Sequence, residues 1–395
     1  MNHAVKGFLA AGIAAGIKKN GQMDLGLLVS ERPAVAAGMF TNNRVTAACV
    51  RLDRERLAAS GTCRAIIVNS GNANCCTGDA GMNDAIAMAK APAGDLGIDE
   101  EEVLVASTGV IGQKLPVEKV EAAVPALTRM LSPEDGLAGF ARAIMTTDTV
   151  PKVVTRKGEI GGISYTITGI AKGAGMIRPD MATMLCFAAT DIGIGRDDLR
   201  RIVAEANEKS FNRITIDGDT STNDTLLVLA NGMSGAKVRT DDDKITFSET
   251  LEAVLVALAK MCVRDGEGAT KLVEISVVNA ASHADARRIA DTVANSNLVK
   301  TAFFGQDANW GRIFAAMGRA GVDFDPERVD LYFGDVLLVE NGQYVGRGAE
   351  NAATEVLKQP EFSVRIDLKA GVAEEIAWTC DFSVEYVKIN ADYRS

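Results

Sequence analysis

The stretch AKGAGMIRPDMATMLCF, Ala171 to Phe187, joins a glycine-rich cationic loop to an apolar run. Lys172 and Arg178 precede Pro179 and Asp180, while Met184, Leu185, Cys186 and Phe187 have the composition of a buried strand. Thr183 stands at the junction. It reads either as a plain start residue or as a nucleophile. A threonine hydroxyl is weakly nucleophilic unless a base lies beside it. The only histidines are His3 and His283, one near a terminus and one at an expected helix start beside Ser282 and Asp285. Both read as solvated surface groups, so a histidine base or a multi-histidine metal site is poorly supported. Cleavage just before Thr183 would supply a base. The freed α-amine has an ordinary pKa of about 7.7–8.0, near the best value for general-base work at neutral pH. It is also fixed covalently beside the hydroxyl. Gly173 and Gly175 would tolerate the unusual dihedrals of a strained approach. Spacing alone leaves both readings open.

Outward from this junction, strand-like runs recur: LGLLVSE (25–31), RAIIVN (64–69), EVLVAS (102–107), ISYTITGIA (163–171), TMLCFAAT (183–190) and DTLLVLAN (224–231). Helical periodicity lies between them. In DDLRRIVAEANEKSF the apolar residues Leu199, Ile202, Val203 and Ala206 fall at i, i+3, i+4, i+7, and Asp197 and Asp198 suit the positive end of the helix dipole. ETLEAVLVALAKMCV is apolar on nearly every face, which predicts a helix buried between layers. A second block begins near Lys271 with KLVEISVVNA as a strand and SHADARRIADTVANS as a helix, and FSVRIDL and EEIAWTCDFSVEYVKIN follow as late strands. Strands and helices alternate but several links are short, so a mixed layered α+β fold is expected rather than a strict βαβ array. The expected domains are 1–270 and 271–395.

Composition narrows the function classes. With 395 residues, 47% hydrophobic and 24% charged, the chain can bury a large core. Lys+Arg 42 against Asp+Glu 52 gives a net charge of -10, which disfavours phosphate-backbone binding, so no nucleic-acid partner is expected. The seven cysteines include no CxxC pair and read as reduced thiols in the cytoplasm. The short N-terminal apolar tract is split by glycines and closed by Lys18 and Lys19, a poor signal peptide. No run reaches the ~18 residues of a membrane span, so no membrane partner is expected.

DGDTSTND clusters Asp217, Asp219 and Asp224, but the twelfth position of a calcium loop begun at Asp217 is Val228, not glutamate. No metal is expected there, and turn-forming side chains explain the cluster. NSGNANCCTG (69–78) and STGVIG (107–112) are Gly/Ser/Thr/Asn-rich turns whose backbone N–H groups could meet an oxyanion, although neither has the Walker or GxGxxG form.

Together with KGAGMIRPDMATML, the segments NSGNANCCTG, STGVIG, IMTTDTVPK, SFNRITIDGDTSTNDT, RDGEGATK, LVKTAFFGQDANWGRI and INADYRS resemble, in order and over essentially the whole chain, the ornithine acetyltransferase family. The family is also called bifunctional arginine-biosynthesis protein or glutamate N-acetyltransferase. The adjacent Cys75 and Cys76 depart from it, where one small residue is expected. The resemblance implies a four-layer α/β/β/α sandwich of the self-processing N-terminal-nucleophile type with a smaller C-terminal α/β domain. It implies a cut between Ala182 and Thr183 into chains 1–182 and 183–395 that stay associated, two of each. Thr183 would be the nucleophile, Thr108 and Gly109 the oxyanion hole, and Thr147, Lys172, Thr183, Glu267, Asn390 and Ser395 the substrate-binding set. By charge, Lys172 is matched to a substrate carboxylate and Glu267 to an ammonium group. The implied reaction moves acetyl from N2-acetylornithine to glutamate, giving ornithine and N-acetylglutamate by a ping-pong route, with no cofactor. Use of acetyl-CoA as a second donor stays open. The alternatives are a related self-processing aminopeptidase or amidohydrolase, and an uncut, non-catalytic amino-acid-binding protein.

Overall fold

The computed structural model describes residues 3–178 and 184–392. The chain divides into two compact units. The first holds residues 1–173, 180–212 and 219–262, and the second holds 174–179, 213–218 and 263–395. The sequence reading placed a single boundary at Lys271.

The first unit is built on one eight-stranded sheet. Its strands are β1 (Phe8–Ile13), β2 (Leu25–Phe40), β3 (Thr62–Asn72), β4 (Val103–Val110), β5 (Lys152–Ile160), β6 (Ile163–Lys172), β7 (Leu185–Thr190) and β9 (Thr225–Ala230). The order is β4-β3-β2-β9-β7-β6-β5, with β1 also paired to β2. The sequence reading ended β2 at Glu31, before Pro33. The strand instead continues for nine more residues, and its ladder with β3 skips between Val29 and Ala34. Pro33 sits in that irregularity, where no ladder N–H is needed. Before it β2 pairs with β1 and β3, and after it with β9 and, at Ala34 and Val35, still with β3. One strand thus serves two layers.

Side-chain alternation fixes those layers. Ala65 and Ile67 of β3 join Leu25, Leu27, Val103 and Val105 in a core beneath the helices α1 (Ala48–Ala59), α2 (Gly78–Leu96) and α3 (Val117–Arg129). Ile66 and Val68, one residue out of phase, face Ile170, Leu185, Phe187, Leu227 and Leu229 across the sandwich. Helix α4 (Gly136–Ala143) plugs this inner core with Phe140, whose ring meets Phe187 edge-on at 5.5 Å. Such a pair contributes ~0.5–1.5 kcal/mol beyond its burial. On the far face lie α5 (Arg196–Glu208), against β2, and α6 (Asp241–Arg264). A Cβ on Gly169 of β6 would come within 2.7 Å of Val254 and Leu258, so glycine is what lets α6 seat. The result is a four-layer α/β/β/α sandwich. Helix α6 is an outer layer rather than one buried on all sides, since Ala253 is exposed while Leu251, Val254, Leu255, Leu258 and Cys262 form its buried stripe.

The second unit has a seven-stranded mixed sheet. Its strands are β8 (Ile214–Thr215), β10 (Leu272–Ala280), β11 (Asp330–Phe333), β12 (Val336–Glu340), β13 (Gln343–Tyr344), β14 (Glu361–Asp367) and β15 (Ala373–Cys380), in the order β13-β12-β11-β14-β10-β15-β8. Val273, Ile275 and Val277 alternate into a core shared with α7 (His283–Ala294), α8 (Asn297–Phe304), α9 (Trp310–Gly318) and α10 (Arg347–Leu357). Ser282 caps α7 by accepting the Asp285 N–H. The last expected strand is corrected in its second half. After β15 the chain forms α11 (Val384–Ala391), a helix that alternation alone concealed, with Glu385 in its first turn, where the helix dipole favours an anion.

Candidate functional site

The expected site residues fall into two groups, one in each unit. In the first unit, Thr108 and Gly109 end β4, which runs parallel to β3 with Ser70 opposite Thr108 and Gly71 opposite Gly109. Gly109 has φ +135°, and a Cβ there would lie 2.3 Å from the Gly71 carbonyl carbon. Any side chain would force the two strand ends apart. The β3 turn is held by its own amides: Asn69 Nδ2 donates to Asn72 O at 2.9 Å, and Asn72 Nδ2 to Lys114 O at 3.0 Å. Asn223 Nδ2 donates to both Ala73 O and Ser107 O, at 2.7 and 2.8 Å. NSGNANCCTG and STGVIG are therefore one stitched structure rather than two separate turns.

Lys172 ends β6, opposite Leu185, the first residue of β7. It is buried, and its Nζ donates to Thr108 Oγ1 at 3.1 Å. The structure thus joins a residue expected to bind substrate with one expected in the oxyanion hole. Burial draws the Lys172 ammonium below the usual lysine range, with Asp148 opposing the shift and Lys152 adding to it. Asp148 was not singled out from sequence. Its Oδ1 accepts from Lys152 Nζ and from Gly173 N, each at 2.6 Å, and its Oδ2 accepts from Thr146 N at 3.1 Å. It thereby fastens the loop carrying the half-buried Thr147 to the end of β6. Burial would raise the Asp148 carboxyl, but Lys172, Lys152 and these hydrogen bonds outweigh it and hold it below the usual range. Both ends of this ion pair lie in IMTTDTVPK, yet no periodicity marks a contact made across a loop–strand boundary.

Asp224, read from sequence as part of an acidic turn, is fully enclosed. Its Oδ1 accepts the Met184 N–H at 3.1 Å, and its Oδ2 has no hydrogen-bond partner among the described residues. Burial pushes its carboxyl well above the ordinary range, against the Met184 bond, the Lys172 charge and the nearby Thr41 hydroxyl. Among the described residues no group of three or more His, Cys, Asp or Glu could hold a metal ion.

In the second unit, Glu267 follows α6 and Asn390 lies on α11. Asn390 Nδ2 donates to Glu267 Oε2 at 2.7 Å, and Glu267 N to Ala174 O at 2.7 Å. Helix α11 reaches this loop through Gly268, where φ is +68° and a Cβ would lie 2.6 Å from Tyr386 N. Ser383 Oγ also donates to Gly268 O at 2.6 Å. RDGEGATK and the tail sequence therefore meet. Gly175 is not in the left-handed region. It is needed because a Cβ would sit 2.6 Å from the Glu267 carboxyl, and the unusual dihedral belongs to Met176, with φ +56°. Ala182, Thr183 and Ser395 lie outside the described residues. The histidines stand apart: His3 Nδ1 pairs with Thr155 Oγ1 at 2.8 Å, and His283 opens α7 with an exposed side chain near Glu375.

A model of the ArgJ family matches residues 9–395. This chain belongs to the ArgJ family. The arginine biosynthesis bifunctional protein ArgJ of Geobacter sulfurreducens is 53% identical over 393 residues, spanning 99% of this chain and all of that protein. A crystal structure of the corresponding protein from Bacillus halodurans is 37% identical with a TM-score of 0.50, covering 52% of this chain and 97% of its own. An ornithine acetyltransferase from Mycobacterium tuberculosis, solved with ornithine, is 41% identical over 45% of this chain and 93% of its own, with a TM-score of 0.41. The Geobacter alignment covers 99% of this ArgJ-family chain.

Proposed function

We propose that this ArgJ-family chain cuts itself between Ala182 and Thr183 and then uses Thr183 to carry an acetyl group from N2-acetylornithine to glutamate. Membership of the family makes it an enzyme of arginine biosynthesis acting between ornithine and glutamate. The observation that carries the residue assignment is the Lys172–Thr108 hydrogen bond at the ends of β6 and β4. It ties a cation to an oxyanion donor where β7, two residues beyond Thr183, begins. The solved Bacillus chain supports the cut, since 97% of it aligns with only 52% of this one, the proportion expected of one product of a break near the middle.

The chemistry follows from the roles. Thr183 Oγ attacks the acetyl carbonyl while its own α-amine takes the hydroxyl proton. The oxyanion is met at Thr108 and Gly109, a donor contributing about 2.7–4 kcal/mol in comparable sites. The carbon–nitrogen bond breaks, the α-amine returns the proton to the ornithine nitrogen, and the acetyl group stays as an ester on Thr183. The glutamate amine then attacks that ester, N-acetylglutamate leaves and the hydroxyl is restored. Thr147, Lys172, Glu267, Asn390 and Ser395 are assigned to substrate, Lys172 to a carboxylate and Glu267 to an ammonium group. The assembly is assigned as two copies of each cut chain, and the location as the cytoplasm. None of the helices among the described residues is long and apolar enough to cross a membrane.

Intact mass of the purified protein tests the cut. Two polypeptides, 1–182 and 183–395, are expected, with Thr183→Ala remaining whole and inactive and Thr183→Ser retaining some processing. An active chain that stays undivided would contradict the scheme.

A further inference from the structure

Four residues just upstream of the proposed cut, Ala174 to Ile177, are held by groups of the second unit. The Ala174 carbonyl accepts from Glu267 N at 2.7 Å, and Gly175 lies against the Glu267 carboxyl. Ile177 O accepts from Ile216 N at 2.8 Å and from Thr215 Oγ1 at 3.1 Å. Between these anchors stands Asp217. Its Oδ2 accepts the Met176 N–H at 2.5 Å, its Oδ1 accepts the Ile177 N–H at 2.9 Å, and Tyr386 Oη of α11 donates to Oδ2 at 3.3 Å. Among the described residues of this loop, Met176 is the one non-glycine residue with a left-handed backbone, φ +56°, and its side chain is 40% exposed. Its side chain therefore contributes little packing to offset that conformation. Two charge-assisted hydrogen bonds from one carboxylate do so instead.

We infer that Asp217 is a positioning residue for self-cleavage, holding Met176 and Ile177 in the geometry that presents the chain leading to Ala182–Thr183. The inference rests on the proposed cut and extends it to a residue outside the chemistry. Attack of Thr183 Oγ on the Ala182 carbonyl depends on how the approaching chain is aimed, and a misplacement of order 1 Å costs on the order of 100-fold in rate. A carboxylate accepts both N–H groups. An asparagine accepts one and turns its own N–H toward the other.

The test is the rate at which the full-length chain disappears during cell-free synthesis, followed by denaturing electrophoresis, with a thermal melt on each product. Asp217→Asn should slow cleavage by on the order of 10–100-fold. Met176→Pro should slow it too, because proline removes the N–H and cannot take a positive φ. This second variant leaves Asp217 intact, so it reports even if Asp217→Asn folds poorly. Adding Met176→Gly to Asp217→Asn should recover much of the rate, since glycine enters the left-handed region without steric cost. A general loss of folding would not be repaired that way. If the wild-type chain is cut but Asp217→Asn is cut as fast, or if it is slow and gains nothing from Met176→Gly, the role of Asp217 is overturned and the cut itself stands. A wild-type chain that stays whole overturns both.

Discussion

Thr108, Lys172 and Asp148 show how much of the site a sequence can carry. Thr108 and Lys172 are visible in their motifs, but their 3.1 Å contact is produced by the sandwich, whose facing layers bring together the ends of β4 and β6, strands far apart in the sheet order. Asp148 was not legible, since its partners come from a loop, from β5 and from the residue after β6. Thr108→Ala should lower kcat by about 100–1000-fold in steady-state assays, because it deletes an oxyanion donor. Asp148→Asn should behave differently. It removes the anion that faces two buried ammonium groups, a change that costs about 3–5 kcal/mol in a buried pair. The folded Asp148 carboxyl lies below its unfolded value of about 3.9. Its contribution is therefore present above that pH and is lost as the pH falls through the lower folded value. Urea denaturation of wild type and variant should show a wide gap at pH 7 that closes on acidification below about pH 4. A gap that persists unchanged would show that the charge is not what stabilises the loop.

At the scale of elements, several strands were legible because their apolar runs are short and bounded by turn residues, and β6, β9 and β10 lie within two residues of where their sequence places them. Others, among them β1 and β5, were not read as strands, and two elements were misread. The second half of β2 hides behind Pro33, a strand breaker in isolation that here occupies a bulge. Helix α11 hides in a stretch whose alternation suits a strand equally well, and it is settled by contacts far away in sequence, at Gly268 and Glu267. Those contacts matter for function. Chain ends usually tolerate trimming, yet Asn390 is bonded to Glu267. A chain ending at Ile389 should still be cut at Thr183, because the cut needs the hydroxyl, the oxyanion donors and the approach loop. It should transfer acetyl groups at a small fraction of the normal rate, because substrate orientation is lost. Near-normal turnover in that truncation would remove the tail from the site.

For the whole molecule, the four-layer order came from the family resemblance, and the alternation of Ile66 and Ile67 between two cores shows its physical basis. The division into units follows neither the expected boundary nor the chain order. The described residues 174–178 belong to the second unit and residues 184–212 to the first, so the chain changes unit between the approach loop and β7. Periodicity could not show this, because compactness depends on contacts between distant segments. The central claim is that one residue, Thr183, is first exposed by the cut and then holds the acetyl group between two substrates. Peptide mass mapping after incubation with N2-acetylornithine and no glutamate tests it most directly. The account predicts a peptide whose first residue is Thr183, carrying one acetyl group that disappears when glutamate is added. Full turnover from a protein in which Thr183 stays internal, or in which that peptide is never acetylated, would contradict it.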